Sequence, residues 1–336
     1  MPTNYEAIII VTIIASSISF LISLILTPSF IKFLTVKGKV VIDRHKPNNP
    51  SIPRPGGPIL LSSIIVGELI LFFLTGFQEI IGIIITTSVA FIIGIVDDFK
   101  TMPGWFKPIA LILAAIPLIV FHENHNQLNI IFGSVYIPLL YMPLILIAIP
   151  LAGNTINSID VFNGVATGFL IITMFPLLIS TLLFSKFEVF LMELPFFASL
   201  LGFYQFHKYP SKIFPGDSGT LLMGAIYGSF AIISRSEIIA IIALLPAIMN
   251  SFLFLSSVRR IVEHRQLKSR PIILKDDFSL ESSKDKHAPI TLVRLILLDG
   301  PLSEKQIIGR IYRLGIFSSS LSFITIILQY LISTIR

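Results

Sequence analysis

Apolar stretches of about 20 residues recur along the whole chain, and each is long enough to cross the hydrocarbon core of a bilayer as a helix. The 336-residue chain is 54% hydrophobic and only 13% charged, whereas a soluble domain carries about 25% charged residues. The short alternating segments typical of a transmembrane β-barrel are absent from the sequence. The sequence therefore predicts an all-α polytopic membrane protein.

Ten segments are candidates for transmembrane helices. They lie at 6–26, 57–75, 80–96, 107–121, 137–153, 164–184, 188–206, 219–234, 237–257 and 314–334. Two of them, 107–121 and 219–234, are short, as helices can be where neighbouring protein satisfies the backbone. Ten spans place both termini on one side of the membrane. Because no internal repeat is visible, we predict a single integral membrane domain, 1–336, with a long connection at 258–313.

Lys and Arg are distributed unequally between the two sides of this predicted bundle. The connections on one side, together with Lys107, contain 22 of the 25 basic residues. The other side has Lys186, Arg235 and Arg336. Because short loops rich in Lys and Arg stay in the cytoplasm, we expect the first side to be cytoplasmic and both termini to be outside.

Four aspartates lie at the predicted cytoplasmic ends of the spans, where ionisable groups are costly and often functional. Asp97 and Asp98 end the third span, Asp160 follows the fifth, and Asp217 precedes the eighth. The simple alternative is that they are helix ends facing water. That alternative fits Asp97 and Asp98 poorly, because the helix dipole disfavours carboxylates at a C-terminus. The pair therefore requires a cation or a function.

Two asparagines extend this set of oxygen donors. With Asn157 and Asn163, the aspartates form a hard-oxygen set that suits Mg²⁺, and a chain without cysteine has no thiolate ligands. Asn157, Asp160 and Asn163 are spaced by three and would share one face of a helix; a solvated turn is the alternative. The segment 216–219 opens the eighth span, where free backbone N–H groups can hold an anion. Ser303 and Gln306 predict a capping box at the start of a helix.

These motifs, in this order, resemble the polyprenyl-phosphate N-acetylhexosamine-1-phosphate transferases, which form glycosyltransferase family 4. The resemblance covers nearly the whole chain, including the Pro/Gly-rich segment 53–57 before the second span. Asn163 stands where the bacterial phospho-MurNAc-pentapeptide translocases have Asp, and their histidine cluster is missing after His287-Ala288-Pro289. His264-Arg265 resembles a stretch of the eukaryotic dolichyl-phosphate enzyme. These differences favour the archaeal and eukaryotic branch.

The resemblance implies transfer of GlcNAc-1-phosphate from UDP-GlcNAc to a dolichyl-type polyprenyl phosphate, with release of UMP. This would be the first step of lipid-linked glycan assembly, with N-glycosylation as the expected use. It also implies Mg²⁺ as the cofactor, with Mn²⁺ as the alternative. The implied site residues are Asp97, Asp98 and Lys107 for catalysis, Asp217 and Asn157 for the metal, and Asn163, Asp160, His264 and Arg265 for substrate binding.

Two alternatives stay open at this point. The same reaction with another UDP-N-acetylhexosamine would serve a cell-wall or surface polysaccharide. A transporter is the alternative from another class, because intramembrane acids also mark ion pathways; it is disfavoured because the acids gather at one face. The expected partners are the UDP-sugar, the polyprenyl phosphate, the bilayer and a second copy of the chain. Nucleic acid is not expected, because aromatic residues are not interleaved with the basic ones.

Overall fold

The computed structural model describes residues 5–121, 126–259 and 269–335, which are mostly helical. The helices are α1 (Tyr5–Val36), α2 (Gly57–Thr75), α3 (Glu79–Phe99), α4 (Phe106–Phe121), α5 (Pro138–Ile159), α6 (Val165–Phe184), α7 (Phe187–His207), α8 (Gly216–Ile233), α9 (Glu237–Ala243), α10 (Leu245–Val258), α11 (Leu292–Ile296) and α12 (Glu304–Ile335). Three antiparallel hairpins join them: β1 (Val40–Ile42) with β2 (Ser51–Pro53), β3 (Gln127–Ile130) with β4 (Gly133–Tyr136), and β5 (Ile272–Leu274) with β6 (Leu280–Ser282).

Seven of the described helices, α1, α2, α3, α5, α6, α7 and α12, are long and apolar enough to cross a membrane. The pair α9 and α10 qualifies as an eighth span that is bent by 70° at Leu244. Each of the ten predicted segments contains a helix, although α4 is short and α8 begins with a polar turn. The all-α polytopic class is confirmed, whereas the number of helices that cross the bilayer stays a prediction.

The last helix begins ten residues earlier than the apolar pattern predicts, at Glu304 rather than 314. The capping box explains this start. The Ser303 backbone N–H donates to Gln306 Oε1 at 2.9 Å, and the Gln306 N–H donates back to Ser303 Oγ at 3.4 Å. The predicted capping box is thus confirmed, and it extends α12 beyond the predicted span.

Large apolar side chains cover the outside of the bundle. Phe73 is 77% exposed, Val120 is 68% exposed and Leu139 is 86% exposed. A soluble protein would not leave apolar surface of this extent in contact with water, and lipid tails provide the matching environment. The outward-facing surface therefore agrees with a chain folded inside a bilayer.

Helix α8 lies at the centre of the bundle, packed between α3 and α5. Asp217 is the one residue of α8 that is not buried. The packing is close because glycines line it: a Cβ at Gly94 of α3 would overlap Ser218 Cα, and one at Gly224 would overlap the carbonyl of Ala152. The beginning of α8 is consequently held against the end of α3, where Asp97 and Asp98 lie.

We predict that Gly94→Ala lowers the melting temperature of the purified protein in detergent, because the added methyl group must displace backbone atoms of α8. Overpacking of this kind costs about 1–3 kcal/mol. Gly309→Ala in α12 is the matched control, since no atom lies within 4 Å of a Cβ built there. This control should melt at the wild-type temperature or above, because Ala favours helix. Equal melting temperatures for the two variants would contradict the packing described here.

Candidate active site

The turn-rich segment 53–57 runs beside residues 214–215 and fixes the approach to α8. Three backbone hydrogen bonds of 2.8, 2.9 and 3.0 Å join the two segments. Glycine is required at position 57, because a Cβ there would lie 2.7 Å from the backbone nitrogen of Gly219. This contact brings the side chain of Arg54 to the beginning of α8.

The Asp98 carboxylate caps the N-terminus of α8. Its Oδ1 accepts the backbone N–H of Asp217 and its Oδ2 accepts that of Ser218, both at 2.9 Å. Arg54 Nη2 lies 3.0 Å from Asp98 Oδ1. The N–H groups at 216–219 were expected to hold an anion, and that anion is Asp98. A carboxylate that the C-terminus of α3 disfavours is thus stabilised by the N-terminus of another helix.

The negative charge of Asp97 is compensated by a different set of contacts. Its Oδ1 accepts the backbone N–H of Met102 at 2.8 Å, and its Oδ2 lies 3.1 Å from Lys107 Nζ. The residue is 1% exposed. Among the described residues that line the adjacent cavity are Lys107 and Arg54 but neither Asp97 nor Asp98. Each aspartate therefore contacts a basic residue of the cavity lining: Asp97 contacts Lys107, and Asp98 contacts Arg54.

Asp217 stands between these two basic groups. Its Oδ2 lies 3.2 Å from Arg54 Nη2 and 3.6 Å from Lys107 Nζ. Its Oδ1 accepts a hydrogen bond from Asn157 Nδ2 at 2.7 Å, and the same amide donates to Thr220 Oγ1 at 2.8 Å. Burial alone would lower the pKa of Arg54, but Asp217 and Asp98 raise it above its ordinary value, so the guanidinium stays charged.

A cavity of about 1120 Å³ opens in front of these residues. It exceeds the roughly 300–1,000 Å³ of sites for drug-sized ligands. Its polar wall includes Asp43, Arg54, Lys107, Asn154, Asn157, Asp160, Asn163 and Asp217, and its apolar wall includes Ile147, Pro150, Leu151, Phe254, Leu255 and Ile272. The cavity can thus hold a large ligand with charged and apolar parts.

The expectation that Asn157, Asp160 and Asn163 share a helical face is wrong. Helix α5 ends at Ile159, and the turn that follows reaches a left-handed residue at Gly164, with φ of +81°. Asn157 alone of the three is helical, because the chain must reverse here to enter α6. Burial raises the pKa of Asp160 to about 7, although nearby Arg54 opposes this shift.

Asn163 is buried in a polar cluster that joins four segments of the chain. Its Oδ1 accepts from Lys46 Nζ at 2.6 Å and from the Ser211 N–H at 2.7 Å, while its Nδ2 donates to Asp43 Oδ2 at 3.1 Å. Its backbone N–H donates to Glu304 Oε1 at 3.1 Å. Among the described residues, the amide oxygen thus accepts two hydrogen bonds, and one of the two amide N–H groups donates.

A basic side chain partly compensates the acidic residues of this cluster. Asp43, His45 and Glu304 bring potential metal ligands within 4.8 Å of one another. However, the ammonium group of Lys46 contacts Asp43 and lies 3.2 Å from Glu304, so one cation already offsets part of the charge of the two carboxylates. Burial would raise the pKa of Asp43, but hydrogen bonds from Lys46 and Asn163 hold it below its ordinary value.

The structure brings together most of the residues expected from the sequence and adds others. Asp97, Asp98, Lys107, Asn157, Asp160 and Asp217 meet in one cluster, with Asn163 at the edge of the same cavity. His264 and Arg265 lie outside the described residues. No functional signal in the sequence pointed to Arg54, which lies in the Pro/Gly-rich segment 53–57. The same is true of Asp43, Lys46 and Glu304, although the first two are spaced i, i+3.

The fold and this cluster define a polytopic helical membrane protein with a large charged cavity at one end of its bundle. Comparison with known proteins gives the family. Glycosyl transferase family 4 matches residues 80–235. A Methanocaldococcus jannaschii protein provisionally named a glycosyltransferase is 30% identical over 302 residues, which are 89% of this chain and 92% of that protein. The chain belongs to glycosyl transferase family 4.

Two further relatives have more specific names. A Saccharolobus solfataricus protein, provisionally named a UDP-N-acetylglucosamine–dolichyl-phosphate N-acetylglucosaminephosphotransferase, is 27% identical over 87% of this chain and 89% of its own length. A phospho-N-acetylmuramoyl-pentapeptide-transferase of Halalkalibacterium halodurans is 28% identical over 70% of this chain and 78% of its own length. The expected resemblance to this group of transferases is therefore confirmed.

We predict that Asp98→Asn destabilises the protein, because an amide cannot accept hydrogen bonds from both backbone N–H groups and pair with Arg54. Loss of a buried charged acceptor costs about 1–3 kcal/mol, which thermal unfolding in detergent will report as a lower melting temperature. Asp276→Asn removes the same charge from an exposed position and should leave the melting temperature unchanged. A wild-type melting temperature for Asp98→Asn would show that Asp98 does not anchor α8.

Proposed function

We propose that the protein transfers an N-acetylhexosamine-1-phosphate from a UDP-sugar to a polyprenyl phosphate and releases UMP. The observation that carries this proposal is the position of Asp217 between Arg54 and Lys107 in a cavity that is charged on one wall and apolar on the other. Membership of glycosyl transferase family 4 also favours a transferase over a transporter.

The two walls suit two different substrates. On the apolar wall, Ile147 is 62% exposed, Leu151 is 41% exposed and Leu255 is 45% exposed. These side chains come from α5 and α10 and are continuous with the lipid-facing surface of the bundle. A polyprenyl chain can lie along them while its phosphate reaches the charged wall, where a nucleotide sugar enters from water.

The proposed reaction is a single phosphoryl transfer. A phosphate oxygen of the lipid attacks the β-phosphorus of the UDP-sugar and forms a new P–O bond. The bond from that phosphorus to the oxygen bridging the α- and β-phosphates breaks, and its electron pair leaves with UMP. Such reactions depend on positioning and charge neutralisation. Lys107, held by Asp97, supplies one positive charge beside Asp217.

We propose Mg²⁺ as the cofactor, with Mn²⁺ as the alternative. The three carboxylates of Asp97, Asp98 and Asp217 outnumber the basic groups of Arg54 and Lys107, and Asp160 adds negative charge when it is ionised, so the cluster favours a bound cation. Asp217 and Asn157 would be the ligands, with the oxygen of the amide turned toward the ion. When bound, Mg²⁺ would neutralise charge on the diphosphate of the donor.

We propose UDP-GlcNAc as the donor and a dolichyl-type phosphate as the acceptor, for the synthesis of a lipid-linked glycan used in N-glycosylation. The Saccharolobus solfataricus relative, Asn163 and the absence of a histidine cluster after Pro289 support this choice. His264 and Arg265 would contact the sugar phosphate. The Halalkalibacterium halodurans relative supports the alternative, another UDP-N-acetylhexosamine for a cell-wall or surface polysaccharide.

We predict that the purified protein releases UMP from UDP-GlcNAc when polyprenyl phosphate and Mg²⁺ are both present. The assay should include UDP-GalNAc and UDP-MurNAc-pentapeptide, and dolichyl and undecaprenyl phosphates as acceptors. Asp217→Asn should lose most of the Mg²⁺-dependent activity, because it removes the charge that is proposed to bind the ion.

This assay tests the donor, the reaction and the metal site separately. UMP release from a different UDP-sugar would reject UDP-GlcNAc and keep the reaction. No UMP release from any donor by a folded protein would reject the reaction itself. Full Mg²⁺-dependent activity of Asp217→Asn would reject the metal site.

We further propose that the active site faces the cytoplasm, and a labelling experiment tests this. The chain has no native cysteine, so single cysteines can be introduced at exposed positions. Ser134→Cys in the β3–β4 hairpin should react with a membrane-impermeant maleimide on intact cells, whereas Lys286→Cys should react only after permeabilisation. The positive-inside distribution of Lys and Arg predicts this pattern, and the reverse pattern would place the cavity outside.

A further inference from the structure

We infer that Arg54 is a second phosphate-binding residue of the active site, held in position by Asp98. The inference rests on the proposed function and adds a residue to it. Two parallel pairs support it: Asp97 holds Lys107 at 3.1 Å, and Asp98 holds Arg54 at 3.0 Å. In each pair the acid is outside the cavity lining, and the base belongs to it.

Some N–H groups of the Arg54 guanidinium are not used in contacts with the described residues. Its side-chain partners among the described residues are Asp98 Oδ1 and Asp217 Oδ2, and both contacts use Nη2. Within the part of the chain that the structure describes, Nε and Nη1 make no hydrogen bond. The side chain is 25% exposed, and it faces the cavity. An arginine presents its donors as a planar fork that matches phosphate oxygens, so the remaining N–H groups suit that chemistry.

Asp98 fixes the position of the charged guanidinium group of Arg54. The carboxylate accepts two backbone N–H groups of α8 at 2.9 Å, so it cannot turn away to follow the arginine. The position of the guanidinium at the cavity wall beside Asp217 is therefore constrained. A phosphate that approaches Asp217 would meet Arg54 on one side and Lys107 on the other. Preorganised donors of this kind stabilise charge that develops during the reaction.

A purely structural role for Arg54 explains less. The segment that carries it is already attached to residues 214–215 by three backbone hydrogen bonds, so the position of the loop does not depend on the guanidinium. A structural ion pair would also not account for the place of Arg54 in the lining of the cavity. The two interpretations predict different effects on the two phosphate substrates, which makes them separable.

The test compares Arg54→Ala, Arg54→Lys and Lys37→Ala, a control that removes one charge from an exposed position of the same connection. Kinetics with the UDP-sugar and with polyprenyl phosphate give kcat and KM for each substrate. Calorimetry with UDP and with uridine, without divalent metal, measures binding to the nucleotide side alone. If Arg54 contacts the donor diphosphate, its replacement weakens UDP binding. If it contacts the lipid phosphate, its replacement raises only the KM for the lipid.

We expect Arg54→Ala to lower kcat/KM for at least one of the two substrates by about 10- to 150-fold, as the loss of charge-assisted hydrogen bonds predicts. Arg54→Lys keeps the charge between Asp98 and Asp217 but loses the fork, so it should melt near the wild-type temperature and still be impaired. The Arg54→Ala variant should bind uridine as the wild type does, and the Lys37→Ala variant should have wild-type kinetics. Added guanidinium should partly restore the activity of the Arg54→Ala variant.

Two outcomes would contradict the inference. Wild-type kinetics of Arg54→Lys and Arg54→Ala for both substrates would overturn it. Equal weakening of UDP and uridine binding, without rescue by guanidinium, would also overturn it, because a distorted site affects both ligands. If Arg54→Ala does not fold, Arg54→Lys alone decides. Absence of UMP release by the wild type would instead reject the proposed function, so the two failures are distinguishable.

Discussion

The hydrogen bonds from the N-terminus of α8 to the Asp98 carboxylate hold the site together. They join the end of α3 to the beginning of α8, and Arg54 attaches the segment before α2 to the same carboxylate. The interaction resolves an electrostatic conflict, because an acid at the negative end of one helix is placed at the positive end of another. The close packing at Gly94 makes this meeting of two helices geometrically feasible.

Charge compensation then organises the rest of the site. Each of the adjacent aspartates keeps one basic side chain, so that Lys107 and Arg54 approach Asp217 from two sides. Partly buried charges interact strongly because water screens them poorly, and an unpaired one would be costly. The arrangement leaves an excess of negative charge at the cavity wall, which the proposed divalent cation would offset.

The Asn163 cluster performs a different task at the edge of the same cavity. Asn163 lies in the turn after α5. Its hydrogen bonds attach this turn to Asp43 and Lys46 of the first long connection and to Glu304 at the beginning of α12. These segments are far apart in sequence, and each supplies a part of the cavity or its rim. A polar network of this kind rigidifies the parts that it joins, so this edge of the cavity has a defined shape before a ligand enters.

The sequence by itself determined the class of the protein, because runs of apolar residues leave few alternatives to helices in a bilayer. It also located the aspartates at one end of the bundle and the capping box of α12, since both depend on residues that are near in sequence. The partners of Asp97 and Asp98, the role of Arg54 and the burial of Asn163 required the tertiary structure. The break at Leu244 and the end of α5 at Ile159 were likewise invisible in the apolar pattern. Hydropathy reports the environment of a segment, whereas the partner of a buried charge is set by which helices pack together.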